Sequence, residues 1–210
     1  AFMMRKISYS LYILALVITI IIFGAGVLIG QMYSNNVKSD IGNQLDYLSA
    51  RTDSLQVLLL LSQQPSENLC GFYEKQAGLL GEQTADLGYK LGILEKNNDA
   101  QLIELKKLYF EKEIRDYLIL SKIKSLCKKD FNLILYFYSN KNCPNCIKQG
   151  EELTKLKQSN PVKNLIYSLD YDSDSLSILA MKANYEITST PSIVVNEKVY
   201  SGLNSFEQLK

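Results

Sequence analysis

The first hydrophobic pattern along the chain is an almost continuously apolar run from Ile7 to Ile29, and no charged residue occurs between Ile7 and Val37. As a helix this run is about 34 Å long, enough to cross the roughly 30 Å hydrocarbon core of a bilayer. A cleaved signal peptide is the alternative, but its apolar core is usually shorter and is followed by a small-x-small site. We therefore expect residues 7–29 to form a single transmembrane helix that anchors the chain in a lipid bilayer.

The charges beside this run predict its orientation. Arg5 and Lys6 precede it, whereas only Lys38 follows it closely, and positive residues concentrate on the cytoplasmic side. We expect residues 1–36 to be a cytoplasmic stub and anchor of a single-pass cell-membrane protein, with everything after Gln31 extracytoplasmic. The glycines at 26 and 30 form a G-x-x-x-G spacing, so a homodimer paired through this helix is an open alternative.

Residues 37–129 have a helical period and predict an α-helical hairpin or coiled-coil region. A heptad-like row of apolar residues from Ile41 to Leu59 indicates a first helix that ends before Gln63–Ser66. Glu67–Glu95 predicts a second helix, and a turn at Lys96–Asp99 precedes a third that continues through Leu126. This region has two open interpretations, a spacer between membrane and last domain or a docking surface for a partner.

After Asp130 the period changes to short apolar runs, which predicts an α/β domain over residues 130–210. The first run is rich in aromatic residues and is typical of a buried strand; later runs predict a second strand, a helix and a terminal hairpin. These elements are expected at Phe131–Tyr138, Lys163–Asp170, Ser175–Tyr185, Ser192–Asn196 and Lys198–Ser201, with a further helix following Cys146.

Composition narrows the chemistry that these elements can support. The chain has 23 basic and 22 acidic residues, so no strong field attracts nucleic acid, and we expect no nucleic-acid partner. Histidine is absent, which excludes Ser-His and Cys-His nucleophiles and metal sites that need imidazole. No cofactor and no metal site is predicted.

The close cysteine pair Cys143-Pro144-Asn145-Cys146 lies between a predicted strand and a predicted helix. A cysteine at a helix N-terminus meets unpaired N–H groups and the positive end of the helix dipole, which favour the thiolate. Cys143 is therefore the predicted nucleophile. Cys146 lies about one turn further along, near enough to resolve a mixed disulfide on Cys143.

The order of strand, loop, C-x-x-C and helix resembles the thioredoxin-like superfamily, as does the downstream run Tyr185–Val195. The resemblance covers about residues 130–210 and implies a central mixed sheet flanked by helices. It also implies that Pro191 is cis and faces Cys143, and that the Thr190 backbone pairs with an extended substrate. Pro144 and Asn145 would join Thr190 and Pro191 at the substrate-binding surface.

The chain departs from the thioredoxin pattern at several positions. Asn142 stands where a Trp usually precedes the first cysteine, and Tyr136 or Phe137 stands where the family has a buried acid. Proline directly after the nucleophile resembles glutaredoxins and extracytoplasmic disulfide oxidases, which favours oxidation or isomerisation over reduction. Lys141 and Lys148 flank the site, either as partners of a thiolate or as ordinary solvated lysines.

These features predict a membrane-anchored extracytoplasmic thiol–disulfide oxidoreductase. Its expected partners are cysteine-containing client proteins and a separate membrane redox protein that recycles the site. One alternative is an adaptor subunit of a membrane complex, as in oligosaccharyltransferases, which holds clients by mixed disulfide and strand pairing without turnover. A structural zinc site built from all four cysteines is a third interpretation.

The remaining two cysteines, Cys70 and Cys127, are predicted to form a structural disulfide. If the second and third helices fold back about Asn97 and Asn98, Cys70 lies 27 residues before the turn and Cys127 lies 29 residues after it, so both reach the same end of the hairpin. An extracytoplasmic compartment would let the bond persist. Two buried free thiols are the alternative.

Overall fold

The computed structural model describes residues 9–61, 64–94 and 100–209. The chain has a helical N-terminal part followed by a four-stranded mixed sheet with helices, and its contacts divide it into two units at Asp40. Some predicted features lie outside the described residues. These are the charged residues Arg5 and Lys6 beside the anchor, the first residues of the apolar run, and the turn at residues 96–99.

The first unit contains the N-terminal part of helix α1 (Tyr9–Leu61), which is long and apolar enough to cross a membrane. The most apolar stretch of this helix has none of its residues buried inside the protein. We expected an anchor and a separate first stalk helix, but the structure has one continuous helix of 53 residues. No Pro lies between residues 30 and 41, and the polar residues there do not end the helix.

In the second unit the rest of α1 packs with helices α2 (Glu67–Leu94) and α3 (Ala100–Cys127). The predicted heptad row of α1 is buried. Helix α2 begins after Pro65, where the hydroxyl of Ser66 accepts a hydrogen bond from the Leu69 N–H at 3.3 Å. The buried residues of the row are Ile41, Leu45, Leu48, Leu55 and Leu59.

A buried polar network joins these three helices around Asp116 of α3. One carboxylate oxygen of Asp116 accepts from the Thr52 hydroxyl of α1 at 2.8 Å, and the other accepts from the Thr84 hydroxyl of α2 at 3.1 Å. The Lys112 ammonium group pairs with the same carboxylate, and both charged side chains are 1% exposed. Sliding any one helix past the others would break this network and leave a buried charge unpaired, which is costly. The network therefore specifies the register of the bundle.

A disulfide joins Cys70 in the first turn of α2 to Cys127 at the end of α3, with the Cα atoms 5.6 Å apart. The bond closes a loop of 57 residues. In the chain-entropy account, a loop of that length stabilises the folded state by about 4 kcal/mol. The two helices are thus fixed to each other covalently at the end opposite their connection.

The sheet consists of β1 (Asn132–Tyr138), β2 (Asn164–Asp170), β3 (Ser192–Val195) and β4 (Lys198–Ser201) in the order β2-β1-β3-β4. Strands β1 and β2 are parallel, whereas β3 is antiparallel to both β1 and β4. Helix α4 (Pro144–Ser159) connects β1 to β2, α5 (Leu176–Asn184) connects β2 to β3, and the short α6 (Phe206–Leu209) follows β4. All four predicted strands form, to within one residue at each end.

The two faces of the sheet are covered by different helices. Ile134 and Tyr136 of β1 contribute to a core with Leu153 and Leu156 of α4 and Leu209 of α6. Side chains alternate along a strand, so the neighbouring residues of β1 face the opposite side. On that opposite face the sheet meets helix α3, which also packs against α5.

Helix α3 packs directly on the sheet, so the helical region is more than a spacer. The rings of Tyr117 in α3 and Tyr167 in β2 meet edge to face with centroids 6.1 Å apart. The Tyr117 hydroxyl also lies 2.7 Å from that of Tyr185, just after α5. Ile41–Lys210 forms one compact unit in which α3 packs on the sheet, and the domain boundary near residue 130 stays a prediction.

Glu113 of α3 binds the outer edge of β2. Its carboxyl group accepts the Ser168 N–H at 3.2 Å and the Tyr109 hydroxyl at 2.8 Å. Strand β2 lies at the sheet edge, so Ser168 has an N–H that no neighbouring strand takes up. Burial raises the pKa of Glu113 from 4.5 to about 8, so this acid is neutral at pH 7.

We predict that Glu113 makes the protein less stable as pH rises from about 5 to about 8. Over that interval the unfolded chain releases the Glu113 proton while the folded chain keeps it, so the unfolded state binds fewer protons and stability falls. Glu113→Gln keeps an acceptor for Tyr109 and Ser168 but cannot ionise.

Thermal unfolding of the full chain in detergent, measured at several pH values, should therefore show a smaller loss of stability for Glu113→Gln than for the wild type. Glu111→Gln, at an exposed position of the same helix, should leave the pH dependence unchanged. Equal pH dependence in wild type and Glu113→Gln would contradict the buried neutral acid.

Candidate functional site

The site lies where β1 ends and helix α4 begins. Cys143 is the N-cap residue of α4 and Pro144 follows it in the first turn. Proline suits this position because the first N–H groups of a helix have no partner within it, and its fixed φ is already helical. The preceding Asn142 has φ 51°, a left-handed conformation that Asn tolerates better than most residues. The local sequence therefore ends the strand and starts the helix at the first cysteine.

Cys143 and Cys146 are joined by a disulfide with an S–S distance of 2.03 Å and Cα atoms 5.2 Å apart. The Cys146 N–H donates to the Cys143 sulfur at 3.2 Å, so an N–H of the first helical turn points at that atom. Cys143 is half-buried, whereas Cys146 is only 5% exposed. The N–H contact and the helix dipole would both stabilise a thiolate on Cys143 in the reduced state.

Two groups from β1 and the loop after it hold Cys146. The Tyr136 hydroxyl donates to the Cys146 carbonyl at 2.6 Å, and the Ser139 N–H lies 3.5 Å from the Cys146 sulfur. Of the two aromatic residues predicted at the family's acid position, Tyr136 is the one that faces α4. Burial raises the pKa of Tyr136 to about 12, so its phenol stays neutral and donates hydrogen bonds.

The peptide bond between Thr190 and Pro191 is cis, and this loop lies next to the cysteine pair. The Thr190 hydroxyl is 3.9 Å from the Cys143 sulfur. Pro191 is buried, while Pro144 and Asn145 are exposed at the start of α4. The fold thus brings Cys143, Cys146, Thr190 and Pro191 together from two segments that are 44 residues apart at their nearest. Cys70 and Cys127 form their own disulfide, separate from this pair.

The flanking lysines are solvated. Lys141 is 79% exposed at its side chain and its ammonium group lies 3.9 Å from the Asp172 carboxylate. Lys148 is exposed on α4. These surroundings fit ordinary surface lysines better than partners of a thiolate.

Sequence reasoning missed several residues that support the site. Asp172 accepts a hydrogen bond from the Ser139 hydroxyl at 2.6 Å, which ties the loop before the cysteines to the loop after β2. Gln149 of α4 is fully buried and bonds the backbone of Asn204. The sequence does carry a signal for Gln149, because it is a polar residue three positions after Cys146, on the side of the helix that is buried.

Within residues 9–61, 64–94 and 100–209, no group of three or more His, Cys, Asp or Glu side chains is placed to hold a metal ion. The four cysteines form two separate disulfides. A sulfur in a disulfide is not a thiolate ligand, so the four-cysteine zinc interpretation does not fit this oxidised state.

No family model matches the chain, and no curated protein matches it. Among solved structures, a malarial protein is 21% identical, covers 38% of this chain and 89% of its own length, and has a TM-score of 0.31. A thioredoxin-2, described as a component of the malaria parasite protein secretion machinery, is 22% identical over 39% of this chain and 79% of its own, with a TM-score of 0.32. TM-scores this low support no inference about the function of this chain.

We predict that, after reduction, Cys143 reacts with alkylating agents before Cys146. Cys143 is the more exposed of the two and receives the N–H of the helix terminus, so it should carry the larger thiolate fraction at neutral pH. Limiting iodoacetamide followed by peptide mass spectrometry measures the order. Labelling of Cys146 first would reverse the assigned roles.

Proposed function

We propose that this protein is a membrane-anchored, extracytoplasmic thiol–disulfide oxidoreductase whose C-terminal part is a thioredoxin-like domain. The observation that carries the proposal is the position of Cys143 at a helix N-terminus, bonded to Cys146 and beside the cis Thr190–Pro191 bond. The order and direction of the strands support the same assignment, with β1 and β2 parallel across α4 and a β3–β4 hairpin beyond β1.

The proposed reaction passes two electrons between the Cys143–Cys146 pair and a client protein. A Cys143 thiolate attacks one sulfur of a client disulfide, so a Cys143–client bond forms and the other client sulfur leaves as a thiolate. Cys146 then attacks the Cys143 sulfur, which releases the client as a dithiol and leaves the pair oxidised. The reverse sequence oxidises a client dithiol.

The position of Thr190 supports binding of an extended client segment. Its hydroxyl lies 3.9 Å from the Cys143 sulfur, so a client cysteine bonded to Cys143 would lie close to this residue. Main-chain pairing with a strand-like segment would orient the client without selecting its sequence. Pro144 and Asn145, exposed between the cysteines, would contact the same client.

The direction we propose is oxidation or isomerisation. The support is the resemblance of the Cys143-Pro144 start to extracytoplasmic oxidases and the phenol of Tyr136 where reducing thioredoxins have an acid. That phenol donates a hydrogen bond to the Cys146 carbonyl, so it offers the resolving thiol no proton acceptor. A separate membrane redox protein would return the pair to its active state.

The membrane location rests on the apolar part of α1, which is not buried inside the protein. Apolar surface left outside a protein core is most stable in lipid. With Arg5 and Lys6 on the cytoplasmic side, the redox pair would face an oxidising compartment, where the Cys70–Cys127 bond also persists.

An adaptor subunit is the second candidate function. The helical region leaves large apolar side chains exposed outside the apolar run, among them Val57 at 55%, Leu60 at 72% and Phe72 at 44%. Such side chains are suited to contacts with other subunits of a membrane complex. In that case the cysteine pair would hold clients transiently and would not turn over.

We predict that Cys146→Ser distinguishes the two functions. Without the resolving thiol, mixed disulfides on Cys143 should accumulate in either case, and non-reducing gels would detect them. For an enzyme, the wild-type chain catalyses many rounds of disulfide exchange on an unfolded disulfide-bonded protein, and Cys146→Ser loses this turnover.

Cys143→Ser is the matched control and should neither trap clients nor turn over. Client trapping by Cys146→Ser together with a wild type that never turns over would favour the adaptor. Absence of any trapped client would contradict both functions.

A further inference from the structure

Gln149 lies on α4 three residues after Cys146 and is 0% exposed, although it carries a polar amide. The N–H and the oxygen of that amide both form hydrogen bonds with the backbone of one residue, Asn204. Its N–H donates to the Asn204 carbonyl at 3.0 Å, and its oxygen accepts from the Asn204 N–H at 2.7 Å. The side chain therefore pairs with the backbone of Asn204 as a neighbouring strand would.

The segment that Gln149 holds, residues 202–204, lies beside the cis-proline loop. The Gly202 N–H donates to the Pro191 carbonyl at 2.9 Å. Gly202 has φ 78°, a left-handed conformation that glycine adopts without strain, so the chain turns sharply here. Leu203 at the tip of this turn is 45% exposed.

A second contact joins α4 to the chain two residues beyond Asn204. The Glu152 carboxylate accepts the Phe206 N–H at 2.7 Å, one helical turn beyond Gln149. The helix that carries the cysteine pair thus also holds the loop after β4 at two points. Helix α4 and the hydrogen bond to Pro191 therefore both hold that loop near Cys143.

We infer that Gln149 is a positioning residue for client binding, because it holds residues 202–204 as a second wall beside Thr190 and Pro191. An extended client segment would lie between this wall and the start of α4, with an apolar client side chain against Leu203. Gln149 contacts no reacting atom, so its loss should weaken client binding and leave the sulfur chemistry of Cys143 unchanged. This inference rests on the proposed function.

The test compares two disulfide probes on full-length chains that carry Cys146→Ser. One probe is a ten-residue unfolded peptide whose cysteine is joined to 2-nitro-5-thiobenzoate, and the other is the symmetric small aromatic disulfide of the same thiol. Each releases the coloured thiol when Cys143 attacks, so the ratio of the two rate constants isolates the contribution of peptide binding.

Gln149→Met should lower the ratio of peptide to small-probe rate about tenfold, since two buried hydrogen bonds that hold the wall are lost. The small-probe rate should stay within about twofold, which also shows that Cys143 remains folded in place. Gln149→Glu keeps the acceptor for the Asn204 N–H but, when ionised, places a buried carboxylate oxygen against the Asn204 carbonyl, so it should also lower the ratio. Gln158→Met, the same change at an exposed position of α4, should leave the ratio unchanged.

An unchanged ratio in both Gln149 variants would overturn the inference, and so would an equal decrease with both probes. A parent chain that reacts with neither probe would instead contradict the proposed function. The two failures are therefore distinguishable.

Discussion

The parallel pairing of β1 with β2 is the constraint on which the site depends. Parallel neighbours need a crossover between them, and α4 supplies it, so its N-terminus must lie near the C-terminal end of β1. Cys143 occupies that N-terminus with Pro144 after it. The position of the first cysteine at a helix N-terminus is thus a result of sheet topology, and the cis Thr190–Pro191 bond reaches it because β3 pairs with β1 on the other side.

The helical region completes this sheet. A four-stranded sheet with one face and one edge uncovered would expose apolar side chains and unpaired backbone groups. Helix α3 covers the face with Tyr117 and satisfies the β2 edge through Glu113. Asp116, one turn from Glu113, joins α3 to the other two helices. The helices and the sheet therefore share one core.

The sequence predicted the elements that depend on local patterns. From Leu133 to Tyr138 the chain has only aliphatic and aromatic residues, and Cys143-Pro144 is a local start signal for a helix. The strand was therefore predicted to within one residue, and a helix was predicted directly after the cysteine pair. The spacing of Cys70 and Cys127 from a hairpin turn likewise needed only helix geometry.

What the sequence could not show depends on long-range packing. Lys112, Glu113 and Asp116 look like one charged face of α3, yet the fold buries all three. Gln149 and Asn204 are 55 residues apart, and neither has a local signal for pairing with the other. The continuity of α1 was missed because polar residues at its middle resemble a break, although none of them ends a helix.

The central claim is that Cys143 and Cys146 form a reversible redox pair, and its reduction potential tests this most directly. The full chain would be equilibrated in thiol–disulfide buffers, quenched with acid, alkylated and analysed by mass spectrometry for each cysteine pair. The account predicts a midpoint between about −270 and −120 mV for Cys143–Cys146, in the range of thioredoxin-like enzymes, while Cys70–Cys127 stays oxidised. A Cys143–Cys146 bond that persists below about −300 mV, as structural disulfides do, would contradict it.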